Sequence, residues 1–586
     1  MLRYNDYNKS LINKKIIRQL PVSDKFFYQM NQFVTTKGDT EFMQHTINDV
    51  LYTITLNYLE TIDKSNPPSP DKIEVDLLSA IQQTFEQENV SQPKGAKWKI
   101  PLRLDFTQIA YIMAALYPIC RIQTAGESAD SAYDLLAIYQ TDGPDAGIYV
   151  TSDETFRRIA RQYNKSITNR EFNEAMIVLG DIVPRKERCH RRHLIAVNNG
   201  IFNYDTKQLL PFTPDLVFMS KSKVNYNPNA TNVVIHNTED GSDWDVESWM
   251  NDLSDDPEIV NTLWEILGAI IRPNVKWDKS AWLYSETGNN GKGTLCELMR
   301  QLCGRGSFAS IPLADMGKDF LLEPLTRANA IIVDENDVGT YIDKAANLKA
   351  IITNDVIQIN RKFKTPIPYR FYGFMVQCLN EFPRIKDKSD SFYRRQLFIP
   401  FDKCFTGKER KYIKHDYLHR PEVLEYVLYK VLNMNYYVLS TPAACTAILE
   451  EYREFNDPVR QFIDEILPCC VWDMLPFTFL YDLYQSWYKK NIPSGGMQSK
   501  GTFISDLIAA LANNQTWYCE GKKKQYRLHK SMSKPEPLIA EYNLVNWYNP
   551  QFKDSCDINK KCLYVFDSNA RYRGILRYQH TQSSTP

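Results

Sequence analysis

One short segment combines glycines, asparagines and a lysine in a pattern that can hold a phosphate group. It follows the apolar run Trp282, Leu283 and Tyr284, and it consists of Gly288, Asn289, Asn290, Gly291, Lys292, Gly293 and Thr294. Glycines let backbone N–H groups approach an anion, and the lysine supplies a positive charge. Beyond Thr294 the apolar residues recur at helical spacing, and a helix N-terminus attracts phosphate. The segment therefore predicts a phosphate-binding loop between a buried strand and a helix.

The segment departs twice from the usual spacing Gly-x-x-x-x-Gly-Lys-[Ser/Thr]. Glu286 stands where the first glycine is expected, and Gly293 directly follows the lysine. Taken alone, the segment also fits an ordinary polar turn before a helix. Other polar residues at strand ends have to decide between the two interpretations.

Two further apolar runs end in polar residues of the kind that assist phosphate chemistry. Asp334 and Glu335 follow the run Ala330–Val333, and Asn380 follows the run 371–379. Ligands bind at the carboxyl ends of strands in open parallel sheets. A pair of carboxylates there is costly unless it meets a cation or water, and Mg²⁺ commonly uses one or two carboxylates plus nucleotide phosphates. These runs favour a nucleotide site with Mg²⁺ over an ordinary turn.

Two basic segments are candidates for nucleic-acid contact. The first is the tip of a hairpin predicted over residues 354–366, with Arg361, Lys362, Phe363 and Lys364. The second is a hairpin predicted over residues 517–529, which turns near Gly521 and carries Lys522, Lys523, Lys524 and Arg527. Cations that meet phosphates beside an aromatic ring that packs on a base are typical of single-strand binding. Solvated hairpins remain the alternative for both.

Composition limits the remaining choices. The chain has 586 residues, of which 43% are hydrophobic and 24% charged, with a formal net charge of zero. This is typical of a soluble globular protein with several domains, and nucleic-acid contact would need local basic patches. No apolar run is long enough to span a bilayer, so we expect a cytoplasmic protein without a membrane partner. The 12 cysteines form no paired Cys-x-x-Cys motifs, and we expect no metal besides Mg²⁺.

The ordered set of segments resembles the superfamily 3 helicases within the AAA+ ATPases. More narrowly, it is similar to the phage and plasmid primase-helicase family that includes the poxvirus helicase-primase, whose members replicate mobile genetic elements. The resemblance rests on residues 288–294, 331–335, the basic hairpin, 379–383 and 393–395, and it covers residues 135–530.

The resemblance implies a role for each matching residue. Lys292 and the amides of residues 288–294 would hold the phosphates of ATP, while Thr294 and Asp334 would position Mg²⁺. Glu335 would orient or deprotonate the attacking water, and Asn380 would sense the γ-phosphate side of that water. Arg394 or Arg395 would be an arginine finger inserted into the site of a neighbouring subunit. A finger in trans implies a homo-oligomeric ring, which is a hexamer in most of the family.

The predicted fold class is multidomain, α/β and α+β, with a P-loop ATPase core. We expect a mainly helical region of unknown role (1–130), an α+β module (131–240), an AAA+ ATPase domain with a helical lead-in (241–407), a helical segment (408–455), a winged-helix DNA-binding domain (456–530), and a linker with an aromatic-rich tail (531–586).

The predicted function is that of an ATP-dependent replicative helicase acting on single-stranded and forked DNA, with an origin and a polymerase or primase as further partners. One alternative is an origin-binding initiator whose ATP site only switches assembly. Another is a helicase-primase, although the acidic residues Asp71, Glu74 and Asp76 lie beside a proline-rich linker and indicate a solvated helix start rather than the metal-binding carboxylates of primer synthesis.

Overall fold

The computed structural model describes residues 46–124, 130–318, 320–342, 344–362, 364–492, 497–512, 514–526, 536–547 and 572–578. For residues 91, 521–526, 545 and 572 it describes the backbone alone. Within these ranges, none of the helices has the length and apolar character needed to cross a membrane.

The amino-terminal part of the described chain is helical and then joins a mixed sheet. Its elements are α1 (Ile47–Thr61), α2 (Pro70–Ser91), α3 (Phe106–Leu116), β1 (Ile119–Ile122), β2 (Leu135–Tyr139) and β3 (Tyr149–Val150). Thr46 and Asp105 begin α1 and α3 with reciprocal capping hydrogen bonds, and Ser69 caps α2, where Pro70 suits the first turn. Because β1 pairs with β2, the mixed α/β unit begins before residue 131, earlier than the expected boundary.

The α+β unit continues with two helices and several short strands. These are α4 (Asp153–Tyr163), α5 (Asn169–Ile182), β4 (Arg185–Lys186), β5 (Leu194–Val197), β6 (Gly200–Asn203), β7 (Gln208–Leu210), β8 (Ile235–His236) and β9 (Asp243–Trp244). The first sheet has the order β3-β2-β1-β4, and β5, β6 and β7 form an antiparallel meander.

The central part of the chain contains the phosphate loop. Its elements are α6 (Val246–Asp252), α7 (Pro257–Ile271), β10 (Ser280–Tyr284), α8 (Lys292–Cys303), β11 (Phe308–Ala309), β12 (Ala330–Val333), β13 (Tyr341–Ile342), α9 (Ala346–Ile352), β14 (Val356–Arg361), β15 (Lys364–Arg370), β16 (Phe374–Leu379), β17 (Arg384–Ile385), α10 (Asp390–Tyr393) and β18 (Gln396–Pro400). The predicted strands before the phosphate loop, before Asp334 and before Asn380 are confirmed, and so is the basic hairpin, formed by β14 and β15.

Five of these strands form one parallel sheet with the order β11-β12-β16-β10-β18. Every residue of β10, β12, β16 and β18 is buried, as expected for a parallel sheet covered on both faces. Residues of α7, α8 and the later helix Pro421–Asn433 pack against one face, and the other face packs against residues of the hairpin and of the first sheet. The sheet is thereby a rigid support for the loops at its two edges.

The carboxyl-terminal part is helical and ends in a small sheet. It comprises α11 (Lys411–His415), α12 (Pro421–Asn433), α13 (Ala443–Phe455), α14 (Pro458–Ile466), β19 (Met474–Pro476), α15 (Phe477–Asn491), α16 (Lys500–Ala510), β20 (Trp517–Tyr526), α17 (Pro537–Glu541) and β21 (Tyr572–Tyr578). Short 3-10 turns lie at Ser131–Tyr133, Leu313–Asp315, Glu323–Thr326, Tyr417–His419, Leu467–Cys469 and Val545–Trp547.

The prediction of a hairpin over residues 517–529 is wrong. The chain does not reverse near Gly521; residues 517–526 form one strand, β20, which pairs antiparallel with β21. The register shifts between Glu520 and Gln525, so the glycine lies in an irregular, bulged stretch rather than in a turn. The fully buried Ile575 and Leu576 explain this pairing, because they make β21 the central strand of the sheet β19-β21-β20.

Candidate functional site

The phosphate loop, the acidic pair and Asn380 meet at one edge of the parallel sheet. Tyr284 lies opposite Leu379 in neighbouring strands, and Val333 lies opposite Gln377. The residues that follow these strand ends therefore emerge side by side. The N–H of Ser285, at the start of the loop, donates to the carbonyl oxygen of Leu379 at 3.1 Å. The structure thus brings together three segments that the sequence places up to 88 residues apart, from Lys292 to Asn380.

The backbone of the loop requires its second glycine. Gly291 has φ +88°, and a Cβ there would lie 2.7 Å from Leu253 Cδ2. Asn289 also has positive φ, at 53°, which asparagine tolerates better than most residues. A Cβ at Gly288 would meet nothing within 4 Å, so this position places a weaker demand on residue type. The turn at Gly291 directs the chain into α8, whose first N–H groups are free of helical partners.

Lys292 is buried at the start of α8. The residue is only 5% exposed, and its Nζ has no hydrogen-bond partner among the residues that the structure describes. Burial lowers the pKa of Lys292, and the nearby thiols of Cys378 and Cys296 only partly oppose that shift. A buried amino group without a partner is unfavourable. A phosphate oxygen bound at the loop would supply the missing partner, so the lysine fits an anion site.

A second segment supports the loop from the other side. The N–H of Phe405 donates to the carbonyl oxygen of Asn289 at 2.7 Å, and the Asn289 amide donates to Thr406 Oγ1 at 3.3 Å and Glu409 Oε1 at 3.2 Å. These residues follow β18, the strand next to β10. The asparagine of the predicted loop is therefore fixed by both its backbone and its side chain.

Asp334 is held by an arginine that the sequence interpretation missed. Arg300, on α8, contacts the Asp334 carboxylate at 2.7 and 3.3 Å. Burial raises the pKa of the Asp334 carboxyl, but the hydrogen bonds and charge of Arg300 more than offset it, and the pKa lies below its usual range. The carboxylate is therefore ionised at neutral pH. No spacing in the sequence signals this contact, because the arginine and the carboxylate lie on different elements.

The protein oxygens at this edge fit Mg²⁺ that arrives with a nucleotide. Asp334 is ionised, Glu335 is exposed beside it, and the half-buried Thr294 lies on the helix opposite. In the described part of the chain, no three Asp, Glu, His or Cys side chains cluster closely enough to hold a metal ion. Mg²⁺ characteristically uses one or two carboxylates and completes its coordination with phosphates and water. The donor set matches that mode of binding.

Asn336 holds the loop that carries the acidic pair in place, a role that no sequence pattern signalled. Its buried amide donates to Gln377 Oε1 and to the Cys378 carbonyl, both at 3.0 Å, and its Oδ1 accepts from the N–H of Leu313 at 2.9 Å. These contacts tie the end of β12 to the end of β16. Asn380 itself is exposed and lines a cavity of about 950 Å³ together with Glu286 and Glu381. Its amide is accessible from outside the chain.

Arg394 and Arg395 lie at the opposite edge of the same sheet. They precede β18, and the carbonyl of Arg395 accepts from the N–H of Ser280, the first residue of β10. A strand of this length separates the two edges by about 13 Å. The Arg395 guanidinium is half-buried and donates to the Ser391 carbonyl, whereas Arg394 is exposed. The structure therefore does not bring either arginine to the phosphate loop of its own chain.

The basic hairpin is anchored to the α+β unit at both ends. At the tip, Lys364 Nζ lies 2.9 Å from an Asp153 carboxylate oxygen at the start of α4, and the Arg361 guanidinium donates to the Thr365 carbonyl at 2.9 and 3.2 Å. At the base, the buried Arg188 donates to the Tyr369 hydroxyl at 2.7 Å. Lys362 is exposed. Phe363, predicted to pack on a base, lies outside the described residues.

The second basic segment is described only in part. The backbone of Lys522, Lys523 and Lys524 belongs to β20, but the structure does not describe their side chains. Arg527 lies outside the described residues. Their contact with nucleic acid stays a prediction.

Three family models match separate parts of the chain. Residues 139–255 match a family described as D5 N terminal like, and residues 454–538 match one described as Poxvirus D5 protein-like. Between them, residues 283–395, which include the phosphate loop, the acidic pair, the basic hairpin and both candidate finger arginines, match a family of unknown function, DUF5906.

Among solved structures, two of the most similar are apo forms of the NrS-1 C terminal region. One is 12% identical, covers 73% of this chain and 98% of that chain, and has a TM-score of 0.35. The other, spanning residues 305–718 of NrS-1, is 14% identical, covers 72% of this chain and 97% of that chain, and has a TM-score of 0.38. Likenesses this distant support no argument about function. None of the curated proteins matches the chain.

The two D5-type matches occur in the order expected from the resemblance, and they support the assignment of the chain to the phage-type, D5-like primase-helicase family.

Proposed function

We propose that this member of the D5-like primase-helicase family is an ATP-dependent replicative DNA helicase with an AAA+ core of the superfamily 3 type. The observation that carries the proposal is Lys292, buried and unpartnered at the start of α8. It lies on the sheet edge that also presents Asp334 and Asn380. An unpartnered buried cation, an ionised carboxylate and an accessible amide are the groups that binding and hydrolysis of a nucleoside triphosphate require.

In the proposed reaction the chain's own residues act mainly by position and charge. Lys292 and the loop amides hold the terminal phosphates, and Arg300 keeps Asp334 ionised and oriented toward them. Mg²⁺ bound with the nucleotide would neutralise charge on the phosphate oxygens. Glu335, exposed beside Asp334, is placed to orient or accept a proton from the attacking water, and the Asn380 amide is placed to hold that water.

The proposed site is completed by a second copy of the chain. Arg394 is exposed at the opposite sheet edge, about 13 Å from the phosphate loop by strand length, and cannot serve its own site without unfolding β18. In a head-to-tail ring, one copy presents this edge to the carboxyl edge of the next copy. The arginine would then stabilise the charge that develops on the transferred phosphoryl group. A hexamer is the assembly that we propose.

The proposed DNA contacts are the hairpin β14–β15 and the carboxyl-terminal domain. The hairpin lies in the chain between β12, the strand before the acidic pair, and β16, the strand before Asn380, and these two strands are neighbours in one sheet. Nucleotide-dependent shifts at the edge of that sheet would therefore reach the lysines of the hairpin directly. Helices α15 and α16 with the sheet β19-β21-β20 have the composition of a winged helix. Lys522, Lys523 and Lys524 would contact phosphates there.

The family name also favours a second activity, primer synthesis, as the main competing function. A helicase-primase would make primers with the same preparation that unwinds DNA. An origin-binding initiator would instead bind one sequence tightly, with ATP turnover unaffected by single strands. The same set of assays distinguishes both alternatives from the proposed helicase.

The experiment is strand displacement on labelled forked DNA with ATP and Mg²⁺, run beside a primer-synthesis assay. We expect wild-type protein to release the strand and Lys292→Ala to lose both ATPase and unwinding. Lys165→Ala is the matched control, because Lys165 is an exposed lysine paired with Asp71 far from the site. Wild-type activity in Lys292→Ala would reject the assigned phosphate site. Primer synthesis without strand release would replace the helicase proposal with that of a primase.

A further inference from the structure

A cavity of about 540 Å³ lies directly beside the phosphate loop. It is lined by Asn289, Gly291 and Thr294 of the loop and its helix, and by the segment that follows β18, including Phe405. Trp244 and Trp249, before and within α6, complete it. Its volume is in the range of about 300–1,000 Å³ that is typical of small-molecule sites. The cavity is thus continuous with the place where phosphates would bind.

Trp244 lines this cavity and has an unused hydrogen-bond donor. The residue is only 4% exposed, and its Nε1–H is buried without a partner among the residues that the structure describes. The indole is held in place by aromatic neighbours: its ring centroid lies 5.3 Å from that of Tyr417 and 6.4 Å from that of Trp249. Buried indole N–H groups usually find a partner. A fixed, unsatisfied donor on a cavity wall is a group prepared for a ligand.

The cavity also has the chemistry of a heteroaromatic binding site. The rings of Trp249 and Phe405 offer flat apolar surface, and Phe405 is itself fixed by its N–H bond to Asn289 in the loop. The lining also includes five Lys and Arg residues, of which Lys403 is paired with Asp255 at 2.8 Å. Thr294 and Gly291 belong to the phosphate loop and its helix, and the indole of Trp244 offers apolar surface that suits an uncharged ring.

We propose that this cavity binds the base and ribose of the nucleoside triphosphate and that Trp244 recognises a purine base by donating its Nε1–H to one ring nitrogen. The inference rests on the proposed function, because it assigns the remainder of the same nucleotide site. Among the purines, adenine has three unprotonated ring nitrogens along its edges, and any one of them can accept this hydrogen bond. The three phosphates extend from the ribose past Thr294 to Lys292.

The test removes the donor and the acceptor separately. Trp244→Phe keeps an aromatic ring but loses the N–H, and 1-deaza-, 3-deaza- and 7-deaza-ATP each lack one ring nitrogen. Affinity is measured for each nucleotide by competition against a fluorescent ADP analogue, together with KM and kcat for ATP. We expect Trp244→Phe to weaken ATP binding about 10-fold with kcat unchanged.

One of the three deaza analogues should bind about 10-fold more weakly than ATP to the wild type and no more weakly than ATP to Trp244→Phe. Trp277→Phe is the matched control, since Trp277 also has a buried, unpartnered Nε1 but lies outside the cavity. It should bind every nucleotide as the wild type does.

Two results would overturn the inference: unchanged nucleotide affinity in Trp244→Phe, or an equal loss for ATP and all three analogues, which would mark the tryptophan as a packing residue only. Neither result touches the proposed function, because the wild type would still bind and hydrolyse ATP. A wild type that binds no nucleotide at all would instead reject the proposed function itself.

Discussion

The two edges of the central parallel sheet differ in what they present. The carboxyl edge presents the phosphate loop with the buried Lys292, together with Asp334 and Asn380. The amino edge presents Arg394 and Arg395, next to the start of β10. The groups that we propose to act on a single triphosphate are thus divided between opposite edges of one sheet. Within a single copy of the chain they cannot meet, so the proposed enzyme is an assembly whose interface completes the site.

The electrostatics of the two edges differ in the same sense. At the carboxyl edge the cation is buried and burial lowers its pKa, a cost that a bound phosphate would remove. At the amino edge Arg394 is exposed, and an exposed guanidinium stays hydrated until a partner approaches it. In the proposed site, the carboxyl edge receives the phosphate anion, and the exposed arginine of the amino edge enters the site of the next copy.

The largest effect that would sharpen this contrast is expected from Arg394. Arg394→Ala should lower kcat for ATP by roughly 10³-fold, because the transition-state charge loses its cation, while nucleotide affinity is nearly unchanged. Single-turnover hydrolysis and nucleotide binding, measured on the same assembly, separate the two quantities.

Arg395→Ala is the comparison for that variant. The Arg395 guanidinium donates a hydrogen bond to the Ser391 carbonyl within its own chain. Its loss should therefore lower the midpoint of thermal unfolding and have little effect on kcat. If Arg395→Ala loses hydrolysis and Arg394→Ala does not, the roles of the two arginines are reversed. If both retain wild-type kcat, the amino edge takes no part in hydrolysis.

A smaller effect is expected at the basic hairpin, which lies on neither edge of the ATP site. The double variant Lys362→Ala, Lys364→Ala should lose most strand displacement, by roughly 10- to 100-fold, with basal ATPase retained, since phosphate contacts on DNA are lost but the sheet edge is not. Asp153→Ala is the control. It removes the partner of Lys364 without removing a cation, and an exposed pair of this kind contributes little stability.

Asp153→Ala should therefore keep unwinding at or above the wild-type level. Loss of ATPase and unwinding together in the double lysine variant would mean that the hairpin supports the fold of the nucleotide site. Loss of neither would remove the hairpin from the DNA path.

The meeting of the phosphate loop, Asp334 and Asn380 at one sheet edge could be predicted because its signals are local. Each of β10, β12 and β16 is a short apolar run, and the polar residue that matters follows it directly in the chain. Parallel pairing then places those ends at one edge whatever the order of the strands. The hairpin β14–β15 was equally accessible, since its two strands are separated by only a tip.

Contacts between distant segments could not be predicted in this way. The pairing of β20 with β21 joins residues about 50 positions apart, and a local glycine signal was misread as a turn. Arg300 reaches Asp334 from another element, and Trp244 reaches the cavity from before α6. The positions of Arg300 and Trp244 in the sequence do not indicate these contacts, because the contacts form only when the chain has folded. The early start of the α+β unit at β1 has the same origin.

In the proposed enzyme each ATP site is shared between two copies of the chain, and mixing two inactive variants is the direct test of that sharing. Lys292→Ala protein lacks the phosphate cation but retains Arg394, and Arg394→Ala protein has the reverse defect. Each is assembled alone and in equal mixture with the other, and steady-state ATPase is measured. We expect both pure assemblies to be inactive and the mixture to recover a substantial part of wild-type activity, because some interfaces pair an intact Lys292 with an intact Arg394. A mixture that co-assembles but stays as inactive as its components would contradict the shared site.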